Sequence, residues 1–194
     1  MPAAKGPLYK VAFRRRRENR TDYTKRLGQI KAATPRLVVR ASNKGLRAQI
    51  IAFDAVGDKV LAQAVSSELE TFGWLPQANT PTAYLTGMMA GARAKKAGVK
   101  EFHIDIGMAT ASVGRILFAA GLGAKAAGLE TELDENMVAA DRLNGSHISN
   151  YAKEMKEKDP SRFGKHFARY AAKNIDVTAL PALFEKTKQK AASG

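Results

Sequence analysis

The chain has 194 residues, no cysteine, 45% hydrophobic residues and a formal net charge of +14. The length suits one domain with extensions, and this hydrophobic content is sufficient for a packed core. The lack of cysteine excludes disulfides, zinc–thiolate sites and thiol catalysis, and no run of about 18 apolar residues predicts a membrane span.

The first segment of the chain is strongly basic. Residues 1–50 contain 14 Lys and Arg against two acids, so they hold +12 of the net charge and the other 144 residues are nearly neutral. Four consecutive arginines, Arg14–Arg17, lie among the aromatic residues Tyr9, Phe13 and Tyr23. We interpret residues 1–31 as an extended arm, disordered without its partner, that ends in a short helix near Tyr23–Lys31.

Three strands with short turns come next. Alternating apolar residues predict strands over residues 36–42, 46–54 and Lys59–Val65, with turns at 43–45 and 56–58. Such short connections allow only an antiparallel meander.

The period then changes to that of a helix. Thr80 is the predicted N-cap of a helix that contains Pro81 and stops at Gly98. A strand over residues 102–106 and a second helix, capped by Ser112 and ended by Gly128, complete an α/β pattern of a mixed sheet with packed helices.

The remainder of the chain is predicted to be a loop followed by helices. Residues 130–141 are acidic and loop-like, and helices are expected over Ser146–Lys158, 161–174 and 180–189. We therefore divide the chain into an arm (1–31), an α/β core (32–141) and a helical C-terminal extension (142–194).

The arm has the composition of a nucleic-acid-binding segment. Arginine binds phosphate with two parallel hydrogen bonds, and aromatic rings stack on unpaired bases. A solvated tail or a localisation signal is the alternative, but neither needs the interleaved aromatics. The candidate RNA-binding residues of the arm are Lys10, Arg14, Arg15, Arg16, Arg17, Asn19, Arg20, Thr21, Tyr23, Lys25 and Arg26.

The first predicted hairpin extends this positive charge. Its candidates are Arg36, Arg40, Ser42, Asn43, Lys44 and Arg47, with no acid among them. The alternative is an ordinary exposed hairpin face.

Other possible sites have simpler structural explanations. The small-residue loop 107–115 lacks a phosphate-binding fingerprint and suits tight packing. Asp54, Asp105 and Asp141 suit turns or caps, and Trp74 suits the core. The three histidines are widely separated in the sequence. We expect no catalytic residue, metal site or cofactor.

Four stretches identify a family resemblance: RRRRENRTDYTKRL (14–27), PRLVVRASNKGLRAQIIAFD (35–54), NTPTAYLTGMMAGARAKKAG (79–98), and FHIDIG followed by SVGRILFAAGLGAKAAGL (102–129). They resemble the archaeal form of the universal large-subunit ribosomal protein numbered eighteen, whose eukaryotic counterpart is numbered five.

The resemblance implies a ribonuclease-H-like sheet without catalytic acids, and a structural protein of the central protuberance in the cytoplasmic ribosome. It implies 5S rRNA, large-subunit rRNA and a neighbouring 5S-binding ribosomal protein as partners, with no membrane and no small-molecule substrate. In the family, the arm and the first hairpin approach the 5S rRNA. Two other hypotheses stay open: a metal-dependent nuclease on the same sheet, and a basic scaffold for acidic proteins.

Overall fold

A four-stranded mixed sheet forms the centre of the protein in the computed structural model, which describes residues 6–193. The strands are β1 (Arg36–Ala41), β2 (Leu46–Ala52), β3 (Lys59–Val65) and β4 (His103–Asp105). Their order is β3-β2-β1-β4, with β1 antiparallel to β2, β2 antiparallel to β3 and β4 parallel to β1. The predicted antiparallel meander is therefore confirmed.

The helices of the described chain fall into an N-terminal pair, a central pair and a C-terminal group. They are α1 (Arg14–Arg17), α2 (Tyr23–Lys31), α3 (Thr80–Lys96), α4 (Ile116–Ala126), α5 (Ala140–Leu143), α6 (Ser146–Lys158), α7 (Pro160–His166), α8 (Ala168–Ala171) and α9 (Leu180–Ser193). Short 3-10 helices cover Ser66–Phe72, Glu135–Met137 and Val177–Ala179.

Two predicted helix caps are wrong. Asn79, not Thr80, caps α3, because its side chain accepts a hydrogen bond from the Thr82 amide at 3.0 Å. Ser112 does not cap α4, which begins four residues later after a turn at Gly114, where φ is +79°. The predicted ends at Gly98 and Gly128 are confirmed, since both glycines adopt the positive φ that terminates a helix.

The helix pair α3 and α4 packs with its backbones in contact. A Cβ atom added to Gly87 would overlap the Ala120 backbone, and one added to Gly123 would overlap the carbonyl group of Tyr84. These glycines let the two helices approach more closely than any side chain would allow. The pair covers the apolar face of the sheet, where Leu37, Ile50 and their neighbours are fully buried.

The C-terminal helices pack on the same core. Phe184 of α9 is 3% exposed, and its ring lies 6.1 Å from that of Trp74 and 5.6 Å from that of Tyr84. Trp74 is buried as predicted, and its indole nitrogen donates to Thr82 Oγ1 at 2.9 Å. The helical extension therefore shares its hydrophobic interior with the α/β part of the chain.

Replacement of Phe184 by alanine tests this shared interior. We expect a loss of roughly 3 kcal/mol of unfolding free energy, because the variant leaves a cavity between α9 and α3. Denaturant unfolding followed by Trp74 fluorescence and by circular dichroism should give one coincident transition. Two separate transitions would show that the C-terminal helices unfold independently of the sheet.

The outer strand β3 leaves one edge of the sheet open. Its first residues are exposed, with Val60 at 50% and Leu61 at 41%, and a register shift lies beside it at Ile50/Ile51.

No helix among residues 6–193 is both long and apolar enough to cross a bilayer.

Candidate nucleic-acid interface

The predicted binding residues lie mostly on the surface. Of the seventeen, Arg36 is buried and Thr21, Tyr23 and Arg26 are half-buried. The others are exposed: Lys10, Arg14, Arg15, Arg16, Arg17, Asn19, Arg20, Lys25, Arg40, Ser42, Asn43, Lys44 and Arg47.

The described part of the arm folds back on itself instead of running extended. Arg14–Arg17 form one helical turn, and Asn19 then reverses the chain with a φ of +52°. The Arg20 amide donates to the Arg15 carbonyl oxygen at 2.8 Å, and Arg15 Nε donates to Thr21 Oγ1 at 2.8 Å. This compact turn displays its arginine side chains on the outside.

An aromatic contact joins the two helices of the arm. The ring centroids of Phe13 and Tyr23 are 5.2 Å apart, and Phe13 is 71% exposed. Tyr23 begins α2, whose N-cap Asp22 accepts from the Thr24 amide at 3.0 Å. The predicted helix at Tyr23–Lys31 is thus confirmed with both its bounds.

The first hairpin presents two arginines side by side. Arg40 and Arg47 are paired directly across β1 and β2, so their side chains leave the same face of the sheet. Ser42 tightens the turn, because its hydroxyl donates to the Gly45 carbonyl oxygen at 3.1 Å and accepts from the Gly45 amide at 3.2 Å. Asn43 and Lys44 occupy the exposed tip of this turn.

Arg36 is a correction to the predicted set. It shares the face of Arg40, as strand alternation requires, but its side chain is only 4% exposed. Its guanidinium donates to Asp58 at 2.7 Å and to Asp105 at 3.5 Å. Arg36 therefore has no free surface for RNA. The reason is long-range: the turn before β3 and the end of β4 bring two carboxylates to this face.

A cavity of about 510 Å³ connects the arm with the sheet. Arg15 and Arg20 from the arm and Arg26 from α2 line it together with Arg40 from β1. The structure therefore brings arginines of the arm and of β1, which are separated in sequence, to one cavity, whose lining also includes Asp22, Asp58 and Asp105. A phosphate group near this cavity would meet cations from both sides.

The carboxylates of the sheet serve structural contacts. Asp105 accepts from the Gly107 amide at 2.7 Å and from Arg40 Nη2 at 3.1 Å, in addition to Arg36. Asp54 pairs with Lys59 and accepts a hydrogen bond from the Val56 amide. These two contacts stabilise the β2–β3 turn and lower the pKa of Asp54. Within residues 6–193, no group of three His, Asp or Glu side chains is arranged to hold a metal ion.

Comparison with known proteins gives a consistent result. The family model described as "Ribosomal large subunit proteins 60S L5, and 50S L18" matches residues 8–103. A large ribosomal subunit protein uL18 from Halobacterium salinarum is 45% identical over 188 residues, covering 96% of this chain and 97% of the relative. The uL18 proteins of Metallosphaera sedula and Sulfurisphaera tokodaii are 41% and 42% identical, each with 98% of both chains covered.

These relatives are similar over almost their entire length, so the similarity includes the arm, the sheet and the C-terminal helices. The relatives are named as proteins of the large ribosomal subunit, in agreement with the location expected from the sequence motifs. The chain belongs to the uL18 family of large ribosomal subunit proteins.

Proposed function

We propose that the protein is a non-enzymatic constituent of the large subunit that binds 5S rRNA and helps to attach it to the central protuberance. The observation that carries this proposal is that arginines from the arm, from α2 and from β1 line one cavity, where Arg26 and Arg40 are each held by a carboxylate. Large-subunit rRNA and a neighbouring 5S-binding ribosomal protein are its proposed further partners.

The binding mechanism follows from the chemistry of these side chains. Exposed arginines and lysines neutralise phosphates and release counterions, which makes the affinity strongly dependent on salt. Phe13, largely exposed beside Tyr23, offers a ring on which an unpaired base can stack. The direct RNA contacts in this proposal are the predicted site residues other than Arg36, which acts from within the sheet.

We also propose a ribonuclease-H-like arrangement for the α/β part, residues 32–141, between the arm and the C-terminal extension. In support, Glu130 forms an isolated parallel bridge with Glu101 after α4. This bridge lies where a fifth strand would extend the observed order β3-β2-β1-β4.

Equilibrium binding to 5S rRNA tests the proposed function. We expect the purified chain to bind 5S rRNA more tightly than an unrelated structured RNA of the same length, at matched salt concentration. Equal affinity for both RNAs would contradict specific 5S recognition, and retention of acidic protein partners after nuclease treatment would favour the scaffold hypothesis. Magnesium-dependent cleavage of the RNA would favour the nuclease.

A further inference from the structure

Five charged side chains of alternating sign cross the face of the sheet beside the cavity. In spatial order they are Arg26, Asp58, Arg36, Asp105 and Arg40, which we call the charge ladder. Arg26 Nη2 lies 2.9 Å from Asp58 Oδ2, and Arg36 Nη2 lies 2.7 Å from the same oxygen. The ladder joins α2 to the turn before β3, then to β1 and β4.

The last step of the ladder fixes Arg40. Its Nη2 contacts Asp105 Oδ1 at 3.1 Å, and its Nη1 donates to the backbone oxygens of Asp105 and Val39, each at 2.8 Å. The guanidinium also lies against Gly107, where a Cβ atom would come within 3.0 Å of it. Arg40 is therefore held in one orientation although its side chain is 49% exposed.

Helix α2 has little other attachment to the sheet. None of its nine residues is buried, and Arg26 reaches across to Asp58 from the middle of the helix. Because a surface helix is normally held by an apolar face, a helix without buried residues depends on such specific contacts for its position.

The carboxylates also act on the electrostatics of the cavity. Asp58 and Asp105 lie between arginines that would otherwise repel one another. The side chain of Asp58 is only 23% exposed, and that of Asp105 is 11% exposed. A negative charge near an RNA-binding surface normally weakens binding. Here its removal would release the arginines from their fixed orientations.

We propose that Asp58 and Asp105 are positioning residues for RNA binding, which hold Arg26, Arg36 and Arg40 in the charge ladder and thereby fix α2 against the sheet. This inference rests on the proposed function. It assigns a favourable role in RNA binding to two acidic side chains that need not touch the RNA.

The Asp58→Asn variant separates this role from simple charge effects. Removal of one negative charge should tighten RNA binding if only the net field matters. The charge ladder predicts the opposite change, a weaker affinity for 5S rRNA. The expected loss is about fivefold, which corresponds to the contribution of one partly exposed ion pair. The measurement is equilibrium binding at fixed salt, together with hydrogen exchange of the α2 amides in the free protein.

Asp54→Asn is the matched control, because it makes the same charge change in the same turn but outside the ladder. We expect equal or tighter binding for this variant, and faster α2 exchange only for Asp58→Asn. Asp58→Glu, which keeps the charge, should recover most of the affinity and would provide the test if Asp58→Asn failed to fold.

The outcomes distinguish this inference from the proposed function. A wild-type chain without preference for 5S rRNA would contradict the proposed function. If wild type binds but Asp58→Asn binds as tightly as Asp54→Asn, with unchanged α2 exchange, the positioning role of the ladder is wrong. Weaker binding by Asp58→Asn that Asp58→Glu fails to recover would also count against it.

Discussion

Replacement of Gly123 by alanine is expected to abolish the native fold. The added methyl group would overlap the Tyr84 carbonyl group and come within 2.9 Å of the Met88 amide nitrogen, both in the backbone of α3. Neither atom can move without displacing the helix, so the whole α3–α4 contact must open. We expect a loss of more than about 5 kcal/mol, which exceeds the ordinary cost of an overpacked side chain and approaches the stability of a typical domain.

Gly28→Ala is the control for this prediction. Gly28 lies inside α2 with nothing within 4 Å of an added Cβ atom. The same substitution there should leave the thermal midpoint unchanged or raise it slightly, since alanine favours the helix by up to about 1 kcal/mol. Thermal unfolding of both variants checks the pair, and a folded Gly123→Ala protein with wild-type stability would contradict the tight helix contact.

Replacement of all four residues Arg14–Arg17 by alanine should affect binding instead of stability. We expect the affinity for 5S rRNA to fall about a hundredfold or more, and the slope of log K against log salt to decrease by about three, because up to four phosphate contacts are lost. The thermal midpoint of the free protein should barely change, since no residue of α1 is buried. Binding titrations at several salt concentrations measure both effects.

A matched variant removes the same charge elsewhere. Alanine at Arg162, Lys165, Arg169 and Lys173 also removes four exposed cations, but from α7, α8 and the turn that follows them. We expect a small loss of 5S affinity for this variant. Equal losses of 5S affinity for the two variants would mean that binding depends on net charge and not on the arm. A large drop in the thermal midpoint of the arm variant would instead show that the arm is part of the folded core.

Local patterns in the sequence predict many of the elements of this fold. The bounds of β3 and α6 agree with the prediction because each has clear alternation or helical periodicity and a strong stop, as at Asp159 and Pro160. The prediction that Ser112 caps α4 was wrong because a turn at Gly114 delays the start of the helix. Several small residues in this segment fit either a helix cap or a turn. The four-residue spacing of Gly87 and Gly91 is a sequence signal of the close α3–α4 contact. Larger apolar residues in the same segment, Leu85, Met88 and Met89, obscure this signal because they predict an ordinary buried helix face.

The candidate site was predictable to the extent that it depends on strand alternation and charge density. Alternation places Arg36 and Arg40 on one face correctly. It gives no information on Asp58 and Asp105, which reach Arg36 from 22 and 69 residues away along the chain. The folded-back arm was likewise missed, because its reversal depends on the positive φ of Asn19, which the polar composition of this segment does not reveal.

The open edge of β3 makes the solubility of the free protein dependent on its charge. Arg93 Nη1 donates to the Gln63 carbonyl oxygen at 2.7 Å, but the start of the strand, with exposed Val60 and Leu61, has no neighbouring strand and is a site where a second copy could pair. A net charge of +14 keeps such copies apart at low ionic strength, and added salt screens that repulsion. We therefore expect the free protein to self-associate more readily as salt is added, which light scattering at rising ionic strength would measure.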